Sequence, residues 1–311
     1  MAQRHLDPTN PLAGPVPTGD ALAGHLRAQA TEFLRALRSA NASEGSTEAT
    51  HALRRSARRI SAALHTFQPL LDPAWSESLR PELAWLSGTL ALEQSCTARL
   101  DRLLTALQRL SATDPATPGA NLTLGAAKAG ALLDRRLTLA RARAHSTALQ
   151  ALGSSRFHAL ADKVAVLASE VPLTKTAADT DLRPLATAAQ DRLCDAVATL
   201  PLPAPDTAPH PQDAPWHQVR LLLRLHRYAR EAISGPKGNA VVDLPLLAAS
   251  RALDRHRDAS EAAAAAAQAA HTPRIAPATA YVLGVLHADQ RHEVEAARHA
   301  FQQCWQKVTT R

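Results

Sequence analysis

One histidine and four arginines are spaced along residues 50–67 so that they would form a surface able to bind anions. At about 100° per residue, these side chains fall on one face of a single helix and apolar side chains fall on the other. The basic residues are His51, Arg54, Arg55, Arg58 and Arg59. The apolar residues are Leu53, Ala57, Ile60, Leu64 and Phe67. Because like charges one helical turn apart repel each other, this face predicts an anionic ligand that offsets the repulsion.

A second basic pattern at residues 216–228 repeats the order of the first. A histidine is again followed by arginines three and seven residues later, and a further arginine joins the same face. The residues of this pattern are His217, Arg220, Arg224 and Arg227. An internal repeat of this kind usually reflects duplicated units that stack on each other. We therefore expect two helical units with related basic faces.

The composition predicts an all-α protein that attracts polyanions. Alanine and leucine dominate the 311 residues, whereas aromatic residues make up 3%. Alanine and leucine favour helices, and the β-branched and aromatic runs typical of strands are nearly absent. The formal net charge is +7 and the sequence pI is about 9.9. Charge alone leaves nucleic acid, acidic lipid and polyphosphate open as partners.

Proline-rich segments and helical periodicity divide the chain. Prolines in residues 1–19 and 201–215 predict a flexible tail and an extended linker, because proline lacks the amide hydrogen that a helix needs. Apolar periodicity predicts four helices before residue 113, the second of them carrying the first basic pattern, and a long helix over 121–152. Further helices are predicted to about residue 170, near 181–200, at the second basic pattern, over 244–258 and over 278–308. The alanine run at residues 260–270 indicates close helix packing.

The sequence offers little for catalysis, for metal binding or for membrane insertion. Cys96, Cys194 and Cys304 stand alone, without histidines at metal-ligand spacing, which fits a reducing cytoplasm. Glu293 and Glu295 point in different directions on a helix, so they do not form a catalytic carboxylate pair. No secretory signal and no apolar run of membrane-spanning length is evident. We expect a cytoplasmic protein that is not an enzyme and needs no cofactor or metal.

Taken together, the two basic patterns resemble the signatures of the CHAD family, the conserved histidine α-helical domain. The similarity runs from about residue 20 to residue 308. The first signature is matched by His51, Arg54, Arg58 and Arg59, and the second is matched in part by His217, Arg220, Arg224, Arg227 and Tyr228. Later segments are similar through Leu253, His256 and Asp258, and then through Gly284 and His287.

The resemblance implies two helical bundles related by pseudo-two-fold symmetry, with residues 20–170 in one half and 171–308 in the other. Their basic faces would line a shared central surface that binds inorganic polyphosphate, as a binding module and not as an enzyme. Gln94 and Ser95 replace an acid-containing step of the family pattern. Leu221 and Leu225 replace basic residues in the second pattern, so we expect the second half to contribute less to affinity.

Other basic side chains form a second tier of candidates for polyphosphate binding. They are Arg135, Arg136, Arg143, His256 and His287. Each of them could equally be solvent-facing or hydrogen-bonded within the protein. Because anions favour protonated histidine, polyphosphate binding through the histidines is expected to strengthen below neutral pH.

Two alternative functions remain open beside polyphosphate binding. Nonspecific nucleic-acid binding would use the same charge, although few aromatic residues are available for base stacking. A structural role on polyphosphate storage granules would use the amphipathic helices as a coat, with the arginines keeping it soluble. The sequence predicts no membrane partner and leaves these two alternatives to experiment.

Overall fold

The chain folds into helices throughout the part that the structure describes. The computed structural model describes residues 18–42, 47–112, 120–201, 213–234 and 243–309. Within these ranges there are ten α-helices, two short 3-10 helices and no strand, which confirms the all-α prediction. The helices are α1 (Gly19–Ala42), α2 (Thr47–Thr66), α3 (Pro73–Thr89), α4 (Leu92–Ala112), α5 (Ala120–Leu152), α6 (Ser155–Ser169), α7 (Arg183–Ala198), α8 (Asp213–Ser234), α9 (Leu244–Ala270) and α10 (Pro277–Thr309).

The predicted proline-rich segments are shorter than expected where the structure describes them. Helix α1 begins at Gly19, so the tail does not extend through residue 19. Helix α8 begins at Asp213, so Pro215 of the predicted linker lies in its first turn. Proline is tolerated there because the amide hydrogens of the first turn have no partner within the helix. Residues 1–17 and 202–212, on which the rest of both predictions falls, lie outside the described ranges.

Side-chain caps fix the starts of α3 and α9. The carboxylate of Asp72 accepts a hydrogen bond from the Trp75 backbone amide at 2.7 Å, where α3 begins. Asp243 accepts from the Leu246 amide at 3.0 Å and caps α9 in the same way. Each cap satisfies an amide that the helix itself leaves unpaired. The second of these caps sets the start of the helix that forms one wall of the site described below.

Three buried apolar clusters hold the helices together. The first joins α1, α2, α3 and α6 with parts of α5, α7 and α8, the second joins α4 and α5 to α9 and α10, and the third joins α7 and α8 to α9 and α10. The first two clusters therefore combine helices from the two predicted halves. The division at residue 170 stays a prediction, and the core is continuous across it. Helices α9 and α10 tie the two halves together.

The alanine run of α9 allows close helix packing, as the sequence predicts. Ala259, Ala262, Ala263, Ala266 and Ala269 are all buried in one uninterrupted helix that lies against α10. Helix α10 also approaches α5 closely at Gly125. A Cβ atom on that glycine would lie 2.7 Å from the carbonyl oxygen of Ala278, so no larger residue fits there without a backbone shift. Close packing on both sides makes α9 and α10 a rigid support.

Helix α2 has the two faces that the sequence predicts. Leu53, Ile60, Leu64 and Phe67 are at most 1% exposed and belong to the first apolar cluster. Helix α2 packs against α1 and α3 on that side and meets α8 on the other. Its basic side is thereby directed between helices and not simply into solvent. Among the described helices, none combines the length and the apolar character that crossing a membrane requires.

Candidate functional site

Four helices enclose a groove lined mainly by arginine side chains, which we call the central groove. Helices α2, α4, α8 and α9 contribute its walls, and its volume is about 730 Å³. Its arginines are Arg54, Arg55, Arg58, Arg99, Arg102, Arg220, Arg224 and Arg257. Three carboxylates also line it, namely Asp254, Asp258 and Glu261. Eight arginines against three carboxylates leave a net charge of +5, so the central groove attracts anions.

A second cavity, of about 780 Å³, lies between α7 and the start of α8. The charged side chains in its lining are Arg192, Asp195 and Asp213. One arginine against two carboxylates gives this cavity no excess of positive charge. We therefore place the candidate anion site in the central groove and not in this slightly larger cavity.

Two arginines of α2, Arg54 and Arg58, form what we call the α2 wall of the central groove. Within the described ranges, neither guanidinium lies within ion-pair distance of a carboxylate. Arg54 donates to the side-chain oxygen of Gln94 at 2.8 Å, while its Nε is buried without a hydrogen-bond partner among the described residues. This wall therefore presents positive charge that no carboxylate of the described residues pairs with.

The electrostatics of the α2 wall show the same lack of compensation. Burial lowers the pKa of Arg54, and the nearby guanidinium groups of Arg257 and Arg224 lower it further. Burial also lowers the pKa of Arg58, with Arg54 and Arg220 adding to the effect. A lowered arginine pKa means that the charged form is held at a free-energy cost. An anion bound at this wall would remove that cost.

The opposite wall, formed by α8 and α9, is compensated by carboxylates of α9. Arg220 Nε donates to Asp254 Oδ1 at 2.6 Å, and Arg224 Nη2 lies 3.8 Å from the same oxygen. Arg257 is hydrogen-bonded to Asp258, its neighbour in sequence. We call Asp254, Asp258 and Glu261 the carboxylate row, because their spacing places them on one side of α9.

Glu261, at the end of the carboxylate row, connects α9 to α4. Arg99 of α4 donates to Glu261 Oε2 at 2.6 Å, and the Ser95 hydroxyl donates to the same oxygen at 3.3 Å. Arg257 Nε lies 3.7 Å from the other oxygen of Glu261. Ser95, one of the departures from the family pattern, thus takes part in closing this side of the central groove.

The structure brings some predicted residues into the central groove and places others elsewhere. Those that line it are His51, Arg54, Arg55, Arg58, Arg220 and Arg224. Arg59 instead makes two hydrogen bonds to Glu231, at 2.8 and 3.0 Å, and its guanidinium lies 5.5 Å from the centre of the Tyr228 ring. Because each residue turns the helix by about 100°, Arg59 points away from its neighbour Arg58 and towards α8.

Two residues of the second basic pattern also lie outside the lining of the central groove. Arg227 donates to the hydroxyl of Ser250 at 2.9 Å. His217 packs edge-on against His256, with ring centres 5.5 Å apart. Burial lowers the pKa of His217, and His256 adds to the shift, so His217 is neutral at neutral pH. His217 is therefore not a cationic contact at neutral pH.

The second-tier candidates do not line the central groove either. Arg135 and Arg143 are exposed on α5, and Arg136 donates to the carbonyl oxygen of Gln268 at 2.9 Å. His256 is fully buried and stacks on Trp216. His287 Nδ1 lies 3.0 Å from the carbonyl oxygen of Ala263. His256, His287 and Arg136 are thus engaged by contacts within the protein, away from the central groove.

Sequence reasoning missed three arginines that line the central groove. They are Arg99, Arg102 and Arg257. Ser95, Arg99 and Arg102 lie at helical spacing on α4, which is a signal that the sequence offered. Arg257 directly follows His256, and the family resemblance marks the histidine and not the arginine. Helical rotation buries His256 and directs the next residue into the central groove.

A partly buried ionic cluster around Asp213 positions the start of α8. Asp213 accepts hydrogen bonds from Arg298 at 2.7 Å, from Arg291 at 2.9 Å and from the Ser260 hydroxyl at 2.6 Å. His256 Nε2 lies farther away, at 3.5 Å, so the two arginines and Ser260 are the stronger partners. Burial by itself would raise the pKa of Asp213, but His256, Arg291 and Ser260 hold it well below its ordinary value. The cluster ties α8 to α9 and α10.

A buried histidine of α8 predicts that the fold loses stability in mild acid. His226 is 6% exposed, and burial together with Arg230 lowers its pKa to about 4. In the unfolded chain its pKa is about 6.5, so protonation favours unfolding as the pH falls from there towards the folded value. We expect the free energy of unfolding to fall by about 2 kcal/mol between pH 6.5 and 4.5 through this residue. Urea unfolding at the two pH values measures it.

The matched control for this prediction is the His226→Gln variant, which has no titrating group at that position. Its free energy of unfolding should decrease less between pH 6.5 and 4.5 than that of the wild-type protein. The other buried histidine with a lowered pKa, His25, contributes to both proteins equally. An identical pH dependence in the two proteins would show that His226 is protonated as easily in the fold as in the unfolded chain.

The fold and the groove define an all-α protein whose helices gather arginines from distant parts of the chain into one basic site. The chain matches the CHAD domain family over residues 21–267, and it belongs to that family. The match ends within α9, so Gly284 and His287, assigned to the family pattern above, lie beyond the matched residues.

Two solved structures are similar to the whole fold. The structure of PptA from Streptomyces chartreusis is 74% identical in sequence, with a TM-score of 0.84, and the match covers 93% of this chain and 99% of that one. The crystal structure of the CHAD domain from the plant Ricinus communis is 22% identical, with a TM-score of 0.58 and 92% of each chain covered. The second likeness concerns the fold alone. No curated protein matches the chain.

Proposed function

We propose that this protein binds inorganic polyphosphate in the central groove and does not catalyse a reaction on it. The observation that carries the proposal is the α2 wall. Arg54 and Arg58 are partly buried, face Arg220, Arg224 and Arg257 across the groove, and have no carboxylate partner in the described ranges. Membership of the CHAD family supports the choice of ligand, because polyphosphate is what the resemblance implies.

The chemistry of arginine suits a linear chain of phosphates. A guanidinium group is planar, stays charged at physiological pH and can donate to two phosphate oxygens at once. The central groove offers guanidinium groups from four helices, so successive phosphates of one chain can each meet a donor. Polyphosphate carries its charges along a flexible strand, and such a strand can follow the groove.

The carboxylates of the central groove are paired with arginines, and this favours a binding role over catalysis. Phosphoryl transfer or hydrolysis generally uses carboxylates to hold metal ions or to position a nucleophile. Here each member of the carboxylate row is engaged by an arginine. In the proposal, the groove is therefore a binding surface, and the bound polyphosphate leaves it unchanged.

Nucleic acid is the main competing ligand, and the groove lining argues against it. Proteins that bind single strands without sequence preference stack bases on aromatic side chains. Tyr228 is the aromatic residue in the lining of the central groove, and the Arg59 guanidinium lies over its ring. One partly covered ring provides little stacking surface. We therefore propose that charge density, and not base contacts, selects the ligand.

A competition experiment separates the candidate functions. Labelled long-chain polyphosphate bound to the protein is displaced with unlabelled polyphosphate or with single-stranded DNA of matched total charge, across a salt series. We expect polyphosphate to compete at much lower concentration than DNA at every salt concentration. Equal competition by DNA would contradict the proposal. Absence of binding at moderate salt would instead favour a structural role on storage granules.

The proposal extends to the cell, where the protein would associate with polyphosphate granules in the cytoplasm. The reason is the same charge complementarity between the central groove and polyphosphate. A fluorescent fusion should co-localise with granules, and a fusion carrying Arg54→Gln and Arg58→Gln should spread through the cytoplasm. Co-localisation that survives both substitutions would indicate attachment by another surface.

Because the α2 wall has no carboxylate partner in the described ranges, we expect that removing one of its charges stabilises the ligand-free protein and weakens polyphosphate binding. In the Arg58→Gln variant, repulsion from Arg54 and Arg220 disappears, so the ligand-free protein should melt about 2 °C higher than the wild type. Because polyphosphate binds the folded state, it should raise the melting temperature of the wild type more than that of the variant. Thermal melts with and without polyphosphate measure both effects. A variant that melts lower and keeps the full ligand-induced rise would contradict the role given to Arg58.

A further inference from the structure

The carboxylate row of α9 competes with any ligand for half of the groove's arginines. It engages Arg99, Arg220, Arg224 and Arg257 in the ligand-free protein. We infer that the carboxylate row sets the minimum length of phosphate chain that the central groove accepts. This inference rests on the proposed function and adds a specificity-determining element to it.

The geometry makes the competition unavoidable. Asp254 Oδ1 lies 2.6 Å from Arg220 Nε, and Glu261 Oε2 lies 2.6 Å from Arg99 Nη2, which are the positions that phosphate oxygens would occupy. The carboxylates are 37–46% exposed, so a ligand can reach them and their partners. A ligand must replace them on the arginines to use this wall.

The carboxylates cannot withdraw far from the bound ligand. Leu253, Ala262 and Ala263 are buried next to members of the row and fix α9 against its neighbours. Side-chain rotation can release an arginine, but the negative charge stays at the groove wall. Displacement therefore has a fixed free-energy cost, whatever the ligand.

The gain from binding, in contrast, grows with the number of phosphates. A short phosphate can contact the α2 wall, where no carboxylate of the described residues competes, but it makes too few further contacts for measurable binding. A long chain also reaches the arginines of α8 and α9 and gains enough to displace the row. The free-energy cost of displacing the carboxylate row is fixed, whereas the gain from phosphate contacts grows with chain length. Binding therefore becomes favourable above a certain chain length. The groove thus discriminates by chain length without a closed end or a steric stop.

The row's effect on ligand choice can be separated from its effect on folding. Ion pairs that are this exposed contribute little to stability, and α9 is held mainly by its buried alanine face. Replacing Asp254 and Asp258 with Asn and Glu261 with Gln removes the charges and keeps the side-chain shapes. Circular dichroism and thermal melting then confirm that the variant is folded. The single Glu261→Gln variant provides a milder version with the same expected direction.

The test measures affinity for linear phosphates of defined length, from inorganic triphosphate to long-chain polyphosphate, by titration calorimetry at one salt concentration. We expect the row variant to bind long chains about tenfold more tightly than the wild type. We also expect it to bind triphosphate measurably where the wild type does not. Glu261→Gln should shift the threshold in the same direction by a smaller amount.

The matched control neutralises three carboxylates that pair with arginines outside the central groove. Glu32→Gln, Glu82→Gln and Asp181→Asn break the pairs with Arg35, Arg156 and Arg183 and change the net charge by the same amount. This control should keep the wild-type length threshold. An equal gain in affinity in the control would mean that net charge, and not the row, is responsible, and would overturn the inference.

The remaining outcomes distinguish the inference from the proposed function. If the wild type binds long chains and the row variant has the same affinity and threshold, the inference is wrong and polyphosphate binding stands. Weaker binding by the folded row variant would also overturn the inference, since the carboxylates would then assist the ligand. If neither protein binds any phosphate, both the proposed function and the inference are wrong.

Discussion

The Arg54→Gln, Arg58→Gln double variant is expected to bind polyphosphate about a hundredfold more weakly than the wild-type protein. Each charge-assisted contact contributes about 1.5 kcal/mol or more, and the two arginines have no carboxylate that shares them in the described ranges. The dependence of log affinity on log salt should become shallower by about 1.4, because two fewer phosphates are neutralised. Fluorescence anisotropy with labelled polyphosphate over a salt series measures both quantities.

Two further double variants serve as comparisons. Arg135→Gln with Arg141→Gln removes the same charge from the exposed face of α5 and should leave affinity close to that of the wild type. Arg220→Gln with Arg224→Gln should weaken binding by about tenfold, less than the α2 pair, because Asp254 already compensates these arginines. Wild-type affinity in the Arg54, Arg58 variant would remove the α2 wall from the site.

The second large effect is expected from Asp213→Asn, which should lower the free energy of unfolding by about 3 kcal/mol. Asp213 is the carboxylate on which Arg291 and Arg298 converge, and removing it leaves two mostly buried cations without their main partner. The start of α8 would lose its attachment to α9 and α10, so Arg220 should also be positioned less well. Urea unfolding at neutral pH measures the stability, and polyphosphate titration measures the second effect.

Glu32→Gln is the control for this variant, because it breaks an exposed pair with Arg35 on α1 and leaves every buried group in place. Its unfolding transition should coincide with that of the wild type. If Asp213→Asn unfolds at the same urea concentration as the wild type, the cluster contributes little to stability and the start of α8 is held by apolar packing around Trp216 instead.

Much of the fold could be predicted from the sequence because helical periodicity is local information. The predicted helix over residues 121–152 corresponds to α5. Helix α2 has one buried apolar face and one basic face, as its pattern indicates. The four helices predicted before residue 113 correspond to α1, α2, α3 and α4. Each of these features depends on residues close together in the chain, so spacing alone is sufficient to predict it.

The membership of the central groove depends on tertiary contacts, and spacing predicts it only in part. The basic face of α2 on a helical wheel is broad, but the residues near its centre are the ones that line the central groove. Arg58 faces Arg220 and Arg224, whereas Arg59, one position on, meets Glu231 of α8. The pairing of Arg59 with Glu231 joins residues 172 positions apart, so no local sequence pattern predicts it.

The same limit explains the residues that were missed. Arg99 and Arg257 come from helices that the repeat did not mark, and packing of α4 against α9 brings them to the groove. In the sequence, Asp258 is marked by the family resemblance alone, and no pattern distinguishes Asp254 and Glu261. Their significance depends on which arginines they meet, and that is decided by how four helices assemble.

The most direct measurement of the central claim is a crystal structure of the protein with polyphosphate bound. We expect phosphates in the central groove within hydrogen-bond distance of Arg54 and Arg58, with Arg220 released from Asp254 where the polyphosphate chain crosses the α9 wall. Phosphates along the exposed arginines of α5, with the groove arginines still on their carboxylates, would contradict it.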